Sequence, residues 1–354
     1  MTLFALDIGN KQTKMISEKG EKVYPSYYTM YDDVGESIVP FEDKMSVHKY
    51  EVKIDPGFEY AWGKEVSQVD TDNFLDTLNF NDRYKTREFQ LLSSFALGEL
   101  AKDFKEAQKD VLRVEIVTGV PTSDFNEENV KDIIKFLEGA HEITIDDVKY
   151  SILVKKVHVL PQPLGTIYDK MLDKNGKLAD SSFKEDNVTI CDIGGGTLLI
   201  DTMKKLKLDK KQRIQSQRGT HNLFDKIVEK VSNDKKIAGL TKYKVEEILR
   251  APIDGKFYYK PNKNESYDIT DVVAKSRVAF TREIINQLTG ALKDTTSLDQ
   301  VVFTGGGSSE NIIDRKEVEA RIKYSSFVDN AEFANAKGYF KYGKAVAKTE
   351  SDEA

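Results

Sequence analysis

The tripeptide Asp-Ile-Gly occurs twice, as Asp7-Ile8-Gly9 and Asp192-Ile193-Gly194, and each copy closes an apolar run that reads as a strand. The first context is Leu3-Phe4-Ala5-Leu6-Asp7-Ile8-Gly9-Asn10. The second is Val188-Thr189-Ile190-Cys191-Asp192-Ile193-Gly194-Gly195-Gly196-Thr197. One copy in each half of the chain predicts two related lobes. Glycine opens backbone conformations closed to other residues, so N–H groups can converge on phosphate oxygens while the carboxylate holds a hydrated cation. Two such turns facing each other would clamp a metal-bound polyphosphate.

A single Asp-x-Gly turn is ordinary hairpin punctuation. A third glycine cluster, Thr304-Gly305-Gly306-Gly307-Ser308, also follows an apolar run, Val301-Val302-Phe303, and precedes a short helical segment. Three strand-to-glycine junctions favour a nucleotide site. Other phosphate motifs fail. Gly57 to Glu65 has five residues between its glycines where a P-loop has four, and Glu65 stands where the magnesium-binding hydroxyl belongs. The run from Gly305 to Glu310 places Glu310 at the last glycine of a dinucleotide fingerprint.

With 354 residues, 39% of them hydrophobic, the chain can bury a large core and is expected to divide into two domains. Its 53 basic and 59 acidic residues give a net charge of −6, so no overall positive field favours direct DNA binding. Cys191, the single cysteine, lies in a strand beside Asp192 and reads as a buried packing thiol; internal disulfides are impossible. His48, His141, His158 and His221 lack ligand spacing, so no zinc site is expected. The chain starts directly on strand residues without a leader, and no apolar stretch approaches the roughly 18 residues of a membrane span. A cytoplasmic protein without a membrane partner is the expectation.

Residues 3–8, 12–17 and 21–25 read as a meander, with Asp7 at its first turn. From Tyr27 to about Asn81 short alternating pieces broken by Asp, Pro and Gly read as a small β-rich insertion. Arg87 to Lys105 carries Phe89, Leu92, Phe95, Ala96, Leu100 and Phe104 at helical spacing, and Val111–Val117 alternates as a strand. A long strand from Val148 to Leu160 meets Pro161-Gln162-Pro163, which opens a helix. Strands run from Asp192 to about Arg218. Helices follow from Gly219, over Tyr243–Ala251 and over Ile269–Leu292, then a strand ends at Thr304. A last helix, about Asn335 to Lys348, is expected to return to the first lobe. Lys204–Lys211 reads as a solvated face.

The order of these motifs resembles the actin-like ATPase superfamily shared by actin, sugar kinases and DnaK-type chaperones. Asp7-Ile8-Gly9-Asn10 with Lys14 looks like its first phosphate loop. Leu160 to Thr166 looks like the first connecting helix, Asp192 to Thr197 like the second phosphate loop, Val302 to Ser308 like the adenosine motif, and Ala336-Lys337-Gly338-Tyr339 like the last connection. Within the superfamily, Asn81-Asp82-Arg83-Tyr84, Val117-Thr118-Gly119-Val120-Pro121, Gln162-Pro163-Leu164-Gly165-Thr166 and Arg218-Gly219-Thr220 resemble the ParM/StbA group of plasmid-segregating actins, particularly those of Gram-positive plasmids.

The resemblance implies an α/β, actin-like fold of two related lobes with a nucleotide cleft between them. Domain I would span residues 1–160 plus 335–354, with the insertion at about 27–81, and domain II residues 161–334. It implies a filament-forming ATPase that binds ATP, or GTP, with magnesium, and segregates plasmid DNA through an adaptor protein on a centromere-like site. By that resemblance the amides of Gly9, Asn10, Lys11 and Gln12 hold the β-phosphate, Lys14 adds positive charge, and Gly194, Gly195, Gly196 and Thr197 hold the γ-phosphate. Asp7 and Asp192 face magnesium through water. Gln162 orients the attacking water with Asp192 as proton acceptor, Gly305, Gly306 and Gly307 pass close to adenosine, and Gly219 borders the base. The alternatives are a sugar-type kinase of the same fold, another bacterial cytoskeletal actin, which commonly carries an amphipathic membrane-binding end not evident here, or a scaffold that binds nucleotide without hydrolysing it. A chaperone reading is weaker, because the chain ends near the ATPase unit.

Overall fold

The structure is a computed structural model that describes residues 1–34, 47–69, 73–77, 82–292 and 297–352. The parts of the 27–81 insertion at 35–46, 70–72 and 78–81, Asn81 included, lie outside the described residues. The chain divides into two compact units, Met1–Asp180 with Asn335–Ala354, and Ser181–Ala334.

The first unit is built on ten strands: β1 (Thr2–Ile8), β2 (Gln12–Ser17), β3 (Gly20–Pro25), β4 (Tyr27–Met30), β5 (Val47–Val52), β6 (Tyr60–Gly63), β7 (Leu75–Asp76), β8 (Leu112–Val120), β9 (Gly139–Ile145) and β10 (Val148–Pro161). They form one sheet in the order β3-β2-β1-β8-β10-β9-β5-β6-β4-β7. Its helices are α1 (Arg87–Ala101), α2 (Glu106–Lys109), α3 (Glu127–Leu137) and α4 (Gln162–Met171). In the second unit β11 (Asn187–Ile193), β12 (Leu198–Lys204), β13 (Lys207–Ser216), β16 (Gln300–Thr304) and β17 (Ser325–Phe327) make a sheet in the order β13-β12-β11-β16-β17, and β14 (Tyr258–Tyr259) pairs with β15 (Tyr267–Asp268). Around them lie α5 (Thr220–Lys235), α6 (Lys242–Arg250), α7 (Thr270–Ala291) and α8 (Arg315–Arg321). The last helix, α9 (Ala334–Asp352), belongs to the first unit from Asn335 on.

The duplication is explicit in the topology. In each unit a strand pairs antiparallel with the next, which pairs antiparallel with a third, while two later strands add in parallel on the other side. Thus β3-β2-β1-β8-β10 and β13-β12-β11-β16-β17 share one order and one set of directions.

The insertion is not a separate module. Antiparallel pairing of Tyr50 in β5 with Ile145 in β9 makes it continuous with the main sheet. Its aromatic residues complete the first core: the rings of Tyr28, Tyr50, Tyr60 and Trp62 lie 5.4, 4.8, 5.7 and 5.9 Å from that of Phe95 in α1. Buried aromatic rings at such separations add about 0.5–1.5 kcal/mol per pair beyond area burial. With this aromatic layer on it, α1 is apolar nearly all round and starts sharply at Thr86, whose side chain accepts from the Phe89 amide.

The expected boundary at residues 160/161 is displaced. The first unit extends to Asp180 and keeps α4. The reason is a glycine-to-glycine helix contact: a β-carbon on Gly338 of α9 would stand 1.7 Å from the Gly165 carbonyl oxygen of α4, so only glycine allows the two backbones to meet. Thr166 and Asn335 add a buried side-chain hydrogen bond of 2.9 Å, and Lys341 pairs with Asp169 at 2.8 Å. Among the described residues no helix is long and apolar enough to cross a membrane.

Candidate functional site

The carboxyl ends of parallel strands are where open α/β sheets present ligand sites. In the first unit Leu6 of β1 stands opposite Thr118 of β8, which stands opposite Val159 of β10. One residue later comes Asp7. Gln162, the first residue of α4 after its Pro161 cap, leaves the sheet at that same end. Asp7 is only 6% exposed.

The β1–β2 hairpin is tight. Its register sets Asp7 opposite Lys14 and Ile8 opposite Thr13, and the Gly9 amide donates to the Gln12 carbonyl at 3.0 Å. A β-carbon on Gly9 would stand 2.9 Å from that oxygen. Asn10, Lys11 and Gln12 form a half-buried tip, braced where the Ser26 amide donates to the Lys11 carbonyl at 2.8 Å. Lys14 Nζ lies 3.4 Å from Asp7 Oδ2, with only 15% of its side chain exposed. The pair is largely withdrawn from water, where charges interact more strongly.

The β11–β12 hairpin repeats the geometry. Asp192 stands opposite Leu199, Ile193 opposite Leu198, and the Gly194 amide donates to the Thr197 carbonyl at 2.8 Å. In both hairpins the residue facing the aspartate is the seventh after it. Asp192 is 7% exposed and stands opposite Thr304 of the parallel neighbour β16, so Gly305 follows at the same sheet end. Gly305 has φ 79° and ψ 163°, and a β-carbon on it would come within 2.3 Å of Asp192 Oδ1 and 2.6 Å of the Ile193 oxygen. The start of α5 docks on the same turn. The Thr220 amide donates to the Gly194 carbonyl at 3.0 Å and the His221 amide to the Gly195 carbonyl at 2.9 Å, while Gly219 approaches too closely for any side chain. Gly307 lies against Ile193 and Thr220. By contrast, nothing stands within 4 Å of where β-carbons on Gly196 and Gly306 would be.

The structure therefore gathers the expected residues into two groups. Asp7, Gly9, Asn10, Lys11, Gln12 and Lys14 share one hairpin, with Gln162 at the same end of that sheet. Asp192, Gly194, Gly195, Gly196, Thr197, Gly219, Gly305, Gly306 and Gly307 form one cluster in the second unit. The short helix expected after Gly305 is a single 3₁₀ turn, Gly306–Ser308. Cys191 is fully buried in β11, and burial, with the neighbouring Asp192 carboxylate, pushes its thiol well above the ordinary range.

Arg83 was legible in the sequence only as part of a resembling stretch. Its Nη2 donates to the Ile8 carbonyl at 2.8 Å and to Thr77 Oγ1 at 3.1 Å. Burial pulls its guanidinium below the ordinary value, against the opposing pull of Tyr84 and of the Asp7 and Asp124 carboxylates.

Comparison with known proteins bears on this arrangement directly. Residues 5–165 match the family model for the N-terminal domain of actin-like proteins, and residues 187–332 match the Alp7A C-terminal domain. The chain belongs to the actin-like proteins. Its fold is the actin-like fold, with mixed α/β units as found in solved relatives. The apo pSK41 ParM protein is 24% identical with a TM-score of 0.77, and the match covers 99% of each chain. An archaeal actin homologue in complex with ADP is 16% identical with a TM-score of 0.73, covering 99% of this chain and 100% of the other. A 15-stranded ParM filament from Clostridium botulinum is 19% identical with a TM-score of 0.70, covering 97% and 99%. No curated protein sequence matches the chain.

The residues present in this actin-like protein fit a magnesium nucleotide. Among the described residues no three or more His, Cys, Asp or Glu side chains gather into a metal cage. Asp7 and Asp192 are each nearly buried beside the glycine turn of their own unit, and a carboxylate so placed suits a hydrated magnesium ion that takes its other ligands from phosphates.

Proposed function

We propose that this actin-like protein is an ATPase that assembles into filaments with Mg-ATP, or Mg-GTP, and moves plasmid DNA through an adaptor bound to a centromere-like site. The observation that carries the reading is the pair of hairpins in one register, each ending a parallel-sheet strand on a nearly buried aspartate and a glycine turn. Filament formation rests on likeness to the ParM filament, and nucleotide binding on likeness to the ADP-bound archaeal homologue.

In this reading the amides of Gly9, Asn10, Lys11 and Gln12 take the β-phosphate and Lys14 offsets its charge. The amides of Gly194, Gly195, Gly196 and Thr197 take the γ-phosphate. Asp7 and Asp192 orient magnesium-bound waters, the ion itself supplying neutralisation of phosphate charge. Gln162 aims the attacking water through its side-chain amide, and Asp192 accepts the proton. Gly306, with open space above its α-carbon, and Gly305 and Gly307 lie along the adenosine, with Gly219 beside the base. The net charge of −6 argues that DNA is reached through the adaptor.

The test pairs phosphate release with decay of light scattering in the wild type and in Gln162→Ala. Removing one water-positioning group should lower turnover about 10²–10³-fold while nucleotide affinity stays nearly constant. The variant should assemble and then disassemble slowly. Unchanged phosphate release would remove Gln162 from the reaction, and slow release with normal disassembly would break the link between hydrolysis and filament turnover.

A further inference from the structure

The two hairpins share a register but differ in what holds them. In the second, the carbonyl side of the Ile193–Gly194 peptide lies against the Gly305 backbone, and the residue facing the aspartate is the apolar Leu199. In the first, two cations take those places. Lys14 faces Asp7, and Arg83 Nη2 donates to the Ile8 carbonyl at 2.8 Å. The Ile8–Gly9 peptide is thereby fixed at both ends, its oxygen by Arg83 and its N–H by the Gln12 carbonyl at 3.0 Å. A peptide group held at both poles resists rotation, which braces the start of the turn.

We propose that Arg83 is a positioning residue for the first phosphate turn: it acts on the nucleotide through the Ile8 carbonyl and holds the Gly9–Gln12 amides in the orientation that binds phosphate. This inference rests on the nucleotide-binding reading of that turn. Two further contacts of the guanidinium support it. The same Nη2 also donates to Thr77 Oγ1 at 3.1 Å, a residue 1% exposed. Arg83 Cζ also lies over the Phe89 ring of α1, 5.5 Å from the ring centre. Lysine could supply the charge but not the planar group that reaches Ile8, Thr77 and the Phe89 ring together.

The experiment titrates Mg-ATP into the full-length wild type, Arg83→Ala, Arg83→Lys and Thr77→Val, and follows thermal unfolding of each without nucleotide. Losing a charged hydrogen bond that orients the turn should weaken binding by about 10- to 100-fold in Arg83→Ala. Arg83→Lys should lie between this and the wild type, and carries the test if the alanine variant does not fold. Thr77→Val, which keeps the Ile8 contact, should stay within about threefold of the wild type even where its unfolding temperature falls as far. Guanidinium ion added below denaturing concentrations should restore part of the alanine variant's affinity. Wild-type binding with unaltered affinity in both Arg83 variants would overturn the role of Arg83 alone. So would losses that follow unfolding temperature equally in Thr77→Val. Absence of binding by the wild type would overturn the nucleotide reading itself.

Discussion

Replacing Gly305 by alanine should damage the second unit far more than replacing Gly306, one residue away. Gly305 combines φ 79° with ψ 163°, a backbone region open almost only to glycine, and holding another residue there costs about 1–3 kcal/mol. The added methyl would also stand 2.3 Å from Asp192 Oδ1 and 2.6 Å from the Ile193 oxygen, so β11 or the aspartate must move, an overpacking cost of about 1–3 kcal/mol. The total is about 2–6 kcal/mol, which lowers the unfolding temperature of a unit of this size by roughly 4–24 °C. Gly306 has nothing within 4 Å of a β-carbon and no positive φ, so Gly306→Ala should stay within about 0.5 kcal/mol of the wild type. Circular dichroism on heating measures both. Displacement of Asp192 should also weaken Mg-ATP binding in Gly305→Ala more than in Gly306→Ala. Equal stability of the two variants would refute the claim that Gly305 is required by close approach to Asp192.

A second prediction concerns Glu99 of α1, 1% exposed, which accepts from Lys22 Nζ at 3.1 Å, Tyr24 Oη at 3.0 Å and Tyr50 Oη at 3.0 Å and pairs with Lys102 at 3.1 Å. Burial alone would raise its carboxyl, but Lys22 and Lys102 hold it below the ordinary value, so its stabilisation is present above the unfolded value of about 4.3 and lost as pH falls through the folded one. Glu99→Gln should therefore cost about 1–3 kcal/mol at neutral pH in urea titrations, with the gap to wild type narrowing as the pH falls below the ordinary carboxylate range; a constant gap would contradict the ionised assignment. Native Cys191, buried and held in its thiol form, should resist a thiol reagent until the protein is unfolded, and rapid native labelling would contradict the burial of β11.

The fold was legible where local chemistry and tertiary structure agree. The meander, the long strand before Pro161, and the helices from Thr220, Lys242 and Thr270 all lie within a residue or two of the positions their periodicity predicts. The two aspartate turns were readable because glycine and carboxylate there answer a backbone requirement, seen in the matching Gly9–Gln12 and Gly194–Thr197 hydrogen bonds. What was not legible depends on residues distant in sequence. The β-rich insertion joins the main sheet through Tyr50 and Ile145, ninety-five positions apart, and no local pattern encodes that pairing. α4 stays with the first unit because Gly165 meets Gly338, a contact no single helix reveals. Arg83 is one of three cations between residues 83 and 87, and its contacts with Ile8, Thr77 and Phe89, not its sequence, set it apart from Lys85 and Arg87.

Sedimentation of the purified protein with and without Mg-ATP tests the central claim most directly, with Asp192→Ala alongside. At micromolar protein, Mg-ATP should drive the wild type into the pellet, and the pellet should shrink as ATP is consumed. Asp192→Ala, lacking the carboxylate that closes β11, should remain in the supernatant. A wild type that stays monomeric with Mg-ATP and with Mg-GTP across physiological salt would contradict the account.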